Sequence, residues 1–164
     1  MRTVEQNDNQ AGDGRGEAAT SRTVLFAYPE CKEHDTGYGH PERAERYDAV
    51  METLTSDNLA DRMARIDPTP ASDEAVFTCH TPEYLSLVKH DLARGKDVLS
   101  TGDTPISPAS LEVARRTAGG VMAAVDAVCQ SRASNAFCLA RPPGHHACRE
   151  RGMGFCIVNN IALA

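Results

Sequence analysis

Two short, apolar, β-prone runs, residues 23–28 (TVLFAY) and 135–140 (NAFCLA), bracket a long stretch of helical periodicity, and this alternation constrains the fold more than any other feature. Strands that alternate with helices bury both faces of a parallel sheet, so the chain is expected to be α/β, an open parallel sheet with flanking helices. Between the runs, residues 41–54 place Tyr47, Val50, Met51 and Leu54 on one helical face. Ser72 before Asp73 and Glu74 reads as the cap of a short helix ending near Phe77, and Thr81-Pro82 opens another with Leu85, Val88 and Leu92 on one face. The longest periodic segment runs from Ser107-Pro108 to Cys129, with Leu111, Ala114, Ala118, Val121, Val125 and Val128 as its expected stripe. Gly119 and Gly120 interrupt it at a cost of about 1 kcal/mol each, so a closely packed neighbour is expected there.

Residues 1–22 are polar and glycine-spaced, too poor in apolar surface to offset the entropy of ordering, and are expected to be a disordered leader to a unit spanning residues 23–164. The leader has no apolar run of the signal-peptide kind, and no later run approaches membrane-spanning length. Lys and Arg total 17 against 23 Asp and Glu, and the resulting charge of -6 repels phosphate, which argues against direct binding of nucleic acid. Six cysteines without a C-x-x-C pair read as reduced thiols in an intracellular setting.

Ligands of parallel sheets bind where the strands end at their carboxyl edge. Residues 141–160 (RPPGHHACRERGMGFCIVNN) leave the second apolar run at such an edge. Two prolines before Gly144 stiffen the base from which His145 and His146 project, and imidazoles that titrate near neutral pH suit general acid–base chemistry. Residue type alone leaves other readings open: a solvated histidine pair, a structural zinc site using Cys148 and Cys156, or a cysteine nucleophile. The irregular placement of the two cysteines weighs against a zinc site, and each reads equally as an inert thiol.

The segment RPPGHHA followed by GMGFCIVNN is similar to the active-site loop of the histone deacetylase and acetylpolyamine amidohydrolase superfamily, and most like its class II members. Residues 35–50 (DTGYGHPERAERYDAV) resemble the family's HPE-containing motif, and residues 100–128 its middle region. The resemblance implies an arginase-deacetylase fold and hydrolysis of an acetamide on a lysine-like amine by a zinc-bound water. It implies that His146 takes and returns the proton while His145 orients or electrostatically assists the water. Gly154 would contact the substrate amide through its carbonyl, Phe155 would wall the acyl-lysine tunnel, Asp103 would hold the substrate backbone at the rim, and Arg46 would be a buried arginine near the acetate end. His40 takes a structural role in the HPE motif. By residue type alone, Phe155 equally fits ordinary core, Asp103 a turn or cap, and Arg46 a solvent-facing helix charge.

The family's metal ligands, an Asp-x-His pair and a further Asp, are expected beyond residue 164, as is its catalytic tyrosine, and no Asp-x-His occurs in the chain. The sequence therefore reads as the N-terminal portion of a deacetylase domain, inactive by itself. The expected substrates are acetylated lysines in histone tails or other proteins, in the cytoplasm or the nucleus. The alternatives are a non-catalytic deacetylase-like binding protein and an acetylpolyamine amidohydrolase.

Overall fold

A computed structural model describes residues 23–67 and 69–164, so the expected leader lies outside the described residues. Three strands, β1 (Thr23–Phe26), β2 (Ala64–Ile66) and β3 (Asn135–Cys138), form a parallel sheet in the order β2-β1-β3, with Val24 opposite both Ala64 and Ala136. Val24, Leu25 and Phe26 are all buried, as a central parallel strand covered on both faces requires. β2 was not expected. Its three residues carry no period of their own, and pairing with β1 is what makes them a strand. On its side away from β1, β3 pairs with no other strand among the described residues, and its Phe137 is 42% exposed.

Among the described residues there are five α-helices, of which α4 packs on the sheet: α1 (Glu45–Ser56), α2 (Asp73–Phe77), α3 (Pro82–Ala93), α4 (Ser110–Cys129) and α5 (Asn160–Leu163). The caps of α2 and α3 are those expected, Ser72 Oγ accepting from Ala75 N and Thr81 Oγ1 from Tyr84 N, each at 3.2 Å. α1 begins four residues later than its sequence pattern because residues 41–44 are drawn into tertiary bonds. The carbonyl of Glu42 accepts from Thr36 Oγ1 at 2.7 Å and from Arg141 Nη2 at 3.3 Å. α4 begins at Ser110 rather than Ser107, because Ser107 N donates to Ser110 Oγ at 2.7 Å and closes a turn ahead of the helix.

The buried face of α4 is made of Val113, Ala114, Thr117, Ala118, Gly120, Val121, Ala124 and Ala127. Val125, placed in the expected stripe, is exposed, because Ala124 and Ala127 take the sheet-facing positions there. A Cβ on Gly120 would lie 2.0 Å from the Phe26 ring, and one on Gly119 would lie 1.7 Å from the Thr69 carbonyl oxygen. Glycine is required at both places by contact with β1 and with the chain entering α2. A separate apolar cluster joins Leu85 and Val88 of α3 to Ala114 and Ala118 of α4 and to Ile157 and Val158, so the loop that follows β3 is packed into the core at its far end.

Candidate active site

The base of the 141–160 loop is a buried ion pair. Arg141 is 3% exposed and donates from Nε to Glu42 Oε1 at 2.9 Å and from Nη1 to the Cys31 carbonyl at 2.8 Å, while its own carbonyl accepts from Thr117 Oγ1. His34 completes the cluster, its Nδ1 2.7 Å from Ser110 Oγ and its Nε2 3.7 Å from Glu42 Oε2. Burial, reinforced by the Arg141 guanidinium, pushes the pKa of His34 down to about 3. The nearby His40 pushes in the same direction, and Asp35 offsets only part of it. Burial also pushes the neighbouring Cys31 thiol up to about 12, which makes it inert. The HPE motif and the RPPG turn are thus two ends of one polar cluster.

From this base the chain passes a cis Arg141–Pro142 bond and presents His145 and His146, both exposed, with ring centroids 4.1 Å apart and planes inclined at 49°. Gly154 returns against the second ring: its φ is +56°, and a Cβ there would lie 2.7 Å from His146 Cδ2. Phe155 follows at φ +65° and packs edge-on to His40 with centroids 4.5 Å apart. His40 therefore touches the Phe155 ring directly, which its assignment to a structural role did not anticipate. Cys156 donates to the Gly154 carbonyl at 3.3 Å and is fully buried, and that burial raises its thiol pKa and disfavours the thiolate.

Two further elements hold the loop. The segment between α3 and α4 is pinned by buried Asp91, whose carboxylate accepts from Ser100 N at 2.7 Å and Ser100 Oγ at 2.8 Å and pairs with Lys96 at 2.8 Å. From that segment Asp103 Oδ1 accepts from Gly154 N at 2.8 Å, and Thr101 Oγ1 donates to the Gly152 carbonyl at 2.9 Å. Asp103 thus engages the glycine backbone beside His146 with one oxygen. On the opposite side, Thr81 N donates to the Arg149 carbonyl at 3.1 Å and Tyr84 Oη to the Ile157 carbonyl at 2.8 Å. His80 is 1% exposed; its Nε2 accepts from Asn159 N at 3.0 Å, and burial lowers its pKa.

The structure brings together His145, His146, Gly154, Phe155 and Asp103. Arg46 lies at the base of the loop, its side chain 61% exposed on α1 and touching Glu42 Oε1 at 3.5 Å beside Arg141. Arg141 is buried, whereas no element among the described residues covers the face of α1 that carries Arg46. Asp91, His80, Tyr84 and Asn159 were missed. Of these only Asn159, in the NN pair that ends the recognised motif, carried a signal in the sequence.

A cavity of about 590 Å³ bounded by Tyr28, Arg65 and Arg116 does not touch the histidine pair. Among the described residues no three His, Cys, Asp or Glu side chains converge as metal ligands, so these residues do not by themselves make a zinc site. The six cysteines are free thiols, and no described helix is long and apolar enough to cross a membrane.

A paired-imidazole loop thus leaves the carboxyl edge of a parallel α/β sheet, with Gly154 against one imidazole and the Phe155 ring beside it. The chain belongs to the histone deacetylase domain family, whose model matches residues 40–164. It is 35% identical over 153 residues to the human polyamine deacetylase HDAC10, covering 90% of this chain and 22% of that one. It is 40% identical over 126 residues to the histone deacetylase-like amidohydrolase of Pseudomonas aeruginosa, covering 77% and 33%. The crystal structure of the HDA15 HD domain superposes with a TM-score of 0.81 at 29% identity, over 88% of this chain and 42% of that one. The chain thus spans less than half the length of these relatives.

Proposed function

We propose that this chain supplies the acid–base loop of a deacetylase that hydrolyses acetylated amines, with acetyl-lysine in proteins such as histones as substrate. The observation that carries the reading is the His145–His146 pair, its rings 4.1 Å apart and the second ring seated against Gly154. His146 takes a proton from the attacking water and returns it to the leaving amine, and His145 orients that water. The Gly154 carbonyl accepts from the substrate amide N–H, and the Phe155 face lies along the methylene chain. Asp103 holds Gly154 in place through one oxygen and has its second for the substrate backbone.

The family's chemistry includes zinc, which would activate water for attack, and the ligands for such an ion are not assembled among the described residues. A second reading, hydrolysis of acetylated polyamines, is favoured by the 35% identity to a polyamine deacetylase. The test is hydrolysis of an acetyl-lysine peptide and of an acetylated polyamine by the full-length gene product, with and without His146→Ala. Turnover of the peptide that falls by roughly 10²–10⁴ in the variant supports the proposal. Turnover confined to the polyamine supports the second reading, and turnover unaffected by His146→Ala overturns both.

A further inference from the structure

Three hydrogen bonds tie the first turn of α3 and the two residues ahead of it to the histidine loop. Thr81 N holds Arg149 O, Tyr84 Oη holds Ile157 O, and His80 Nε2 holds Asn159 N. The last of these leads back to the histidine pair. Asn159 Nδ2 donates to the carbonyl of Ala147 at 2.9 Å, and Ala147 directly follows His146. Asn159 Oδ1 meanwhile accepts from Ala162 N at 3.0 Å and caps α5, so the side chain is fixed at both ends of its amide. His80 is itself immobilised, buried to 1% exposure and stacked on Tyr84 with centroids 5.3 Å apart.

We propose that His80 is a positioning residue for the histidine pair, its Nε2 acting as a fixed acceptor that sets Asn159, whose amide sets the Ala147 carbonyl and with it the backbone that carries His146. The functional meaning rests on the deacetylase reading above; the geometric claim does not. An acceptor at Nε2 is what the site needs, because the group opposite it is a backbone N–H that has no alternative partner in the turn before α5. A phenyl ring at this position fills the volume and keeps the stack on Tyr84 but leaves that N–H unsatisfied. A glutamine amide carries an acceptor oxygen at about the reach of Nε2.

The experiment compares His80→Phe, His80→Gln and Asn159→Ala in the full-length gene product, reading kcat and KM on an acetyl-lysine peptide, the thermal midpoint, and the imidazole carbon-bound proton resonances of His145 and His146. His80→Phe is expected to lower kcat by roughly 10- to 100-fold with KM within about twofold, and to shift the His146 resonances, since a small misplacement of a catalytic group costs about that much. His80→Gln restores most of kcat and the wild-type resonances, and Asn159→Ala reproduces the Phe phenotype from the other end of the relay. Equal losses in the Phe and Gln variants mean a packing role and overturn the proposal, as does wild-type kcat in His80→Phe. Should His80→Phe not fold, Asn159→Ala decides: unchanged His146 resonances overturn the relay. If the wild-type protein hydrolyses neither substrate, the deacetylase reading fails, and the resonances alone judge the positioning claim.

Discussion

Arg141 and Glu42, 99 positions apart in the chain, meet in a buried ion pair 2.9 Å long that fastens the HPE motif to the base of the histidine loop. Removing one partner of such a pair leaves an uncompensated buried charge and costs about 3–5 kcal/mol. Glu42→Ala is therefore expected to lower the unfolding free energy by about that amount, read from the midpoint of a urea titration at constant slope. A change below about 1 kcal/mol would show that the guanidinium finds solvent or another partner.

Acid should weaken the same cluster in a defined window. His34 is neutral in the folded chain, with its pKa pushed down to about 3 from the ordinary 6.5. Below pH 6.5 the unfolded chain binds a proton that the native chain refuses, so His34's favourable contribution is complete above that pH and is lost as pH falls toward 3. Unfolding midpoints measured between pH 7 and pH 4 should decline, and His34→Asn, which keeps an acceptor for Ser110, should flatten the decline. A slope identical in the variant would assign the acid sensitivity to other groups.

Gly154→Ala tests the contact between the glycine turn and His146. The backbone there is left-handed at φ +56°, which costs an L-residue roughly 1–2 kcal/mol, and the new methyl would enter the His146 ring at 2.7 Å. Stability should fall by about that strain, while deacetylation falls by roughly 10²-fold through displacement of the imidazole. Full activity with unchanged stability would remove Gly154 from the site.

Gly119→Ala sets helix propensity against packing. In an open helix the substitution gains about 1 kcal/mol. Here the methyl would meet the Thr69 carbonyl at 1.7 Å, and overpacking of this kind costs about 1–3 kcal/mol. A lowered thermal midpoint is the expected result. A raised one would mean that the chain entering α2 moves aside freely.

Much of the fold was legible because its signals are local. The caps at Ser72 and Thr81 and the inward positions Tyr47, Leu85 and Val88 follow from spacing and side-chain chemistry along a few residues. β2 was not legible, since Ala64–Ile66 become a strand only through their register with β1. The start of α1 was misread for a similar reason, because Glu42 answers to Arg141 rather than to its helical neighbours. At the site, the motif marked the residues that face outward, His145, His146 and Phe155. Their supports at His80, Tyr84 and Asp91 are spread through an ordinary amphipathic helix and the turn before it, where a buried histidine or aspartate has no distinguishing pattern.

The strand order β2-β1-β3 also sets a timetable. β1 is made well before its partner β3, which follows only after all of α1 through α4. At translation rates of about 5–20 residues per second, the central strand spends on the order of ten seconds with that edge bare. Val24, Leu25 and Phe26 are then an open template for strand pairing with other nascent chains. The same long closure that lets Glu42 meet Arg141 makes synthesis, more than the finished fold, the stage at which this sequence is most exposed to aggregation.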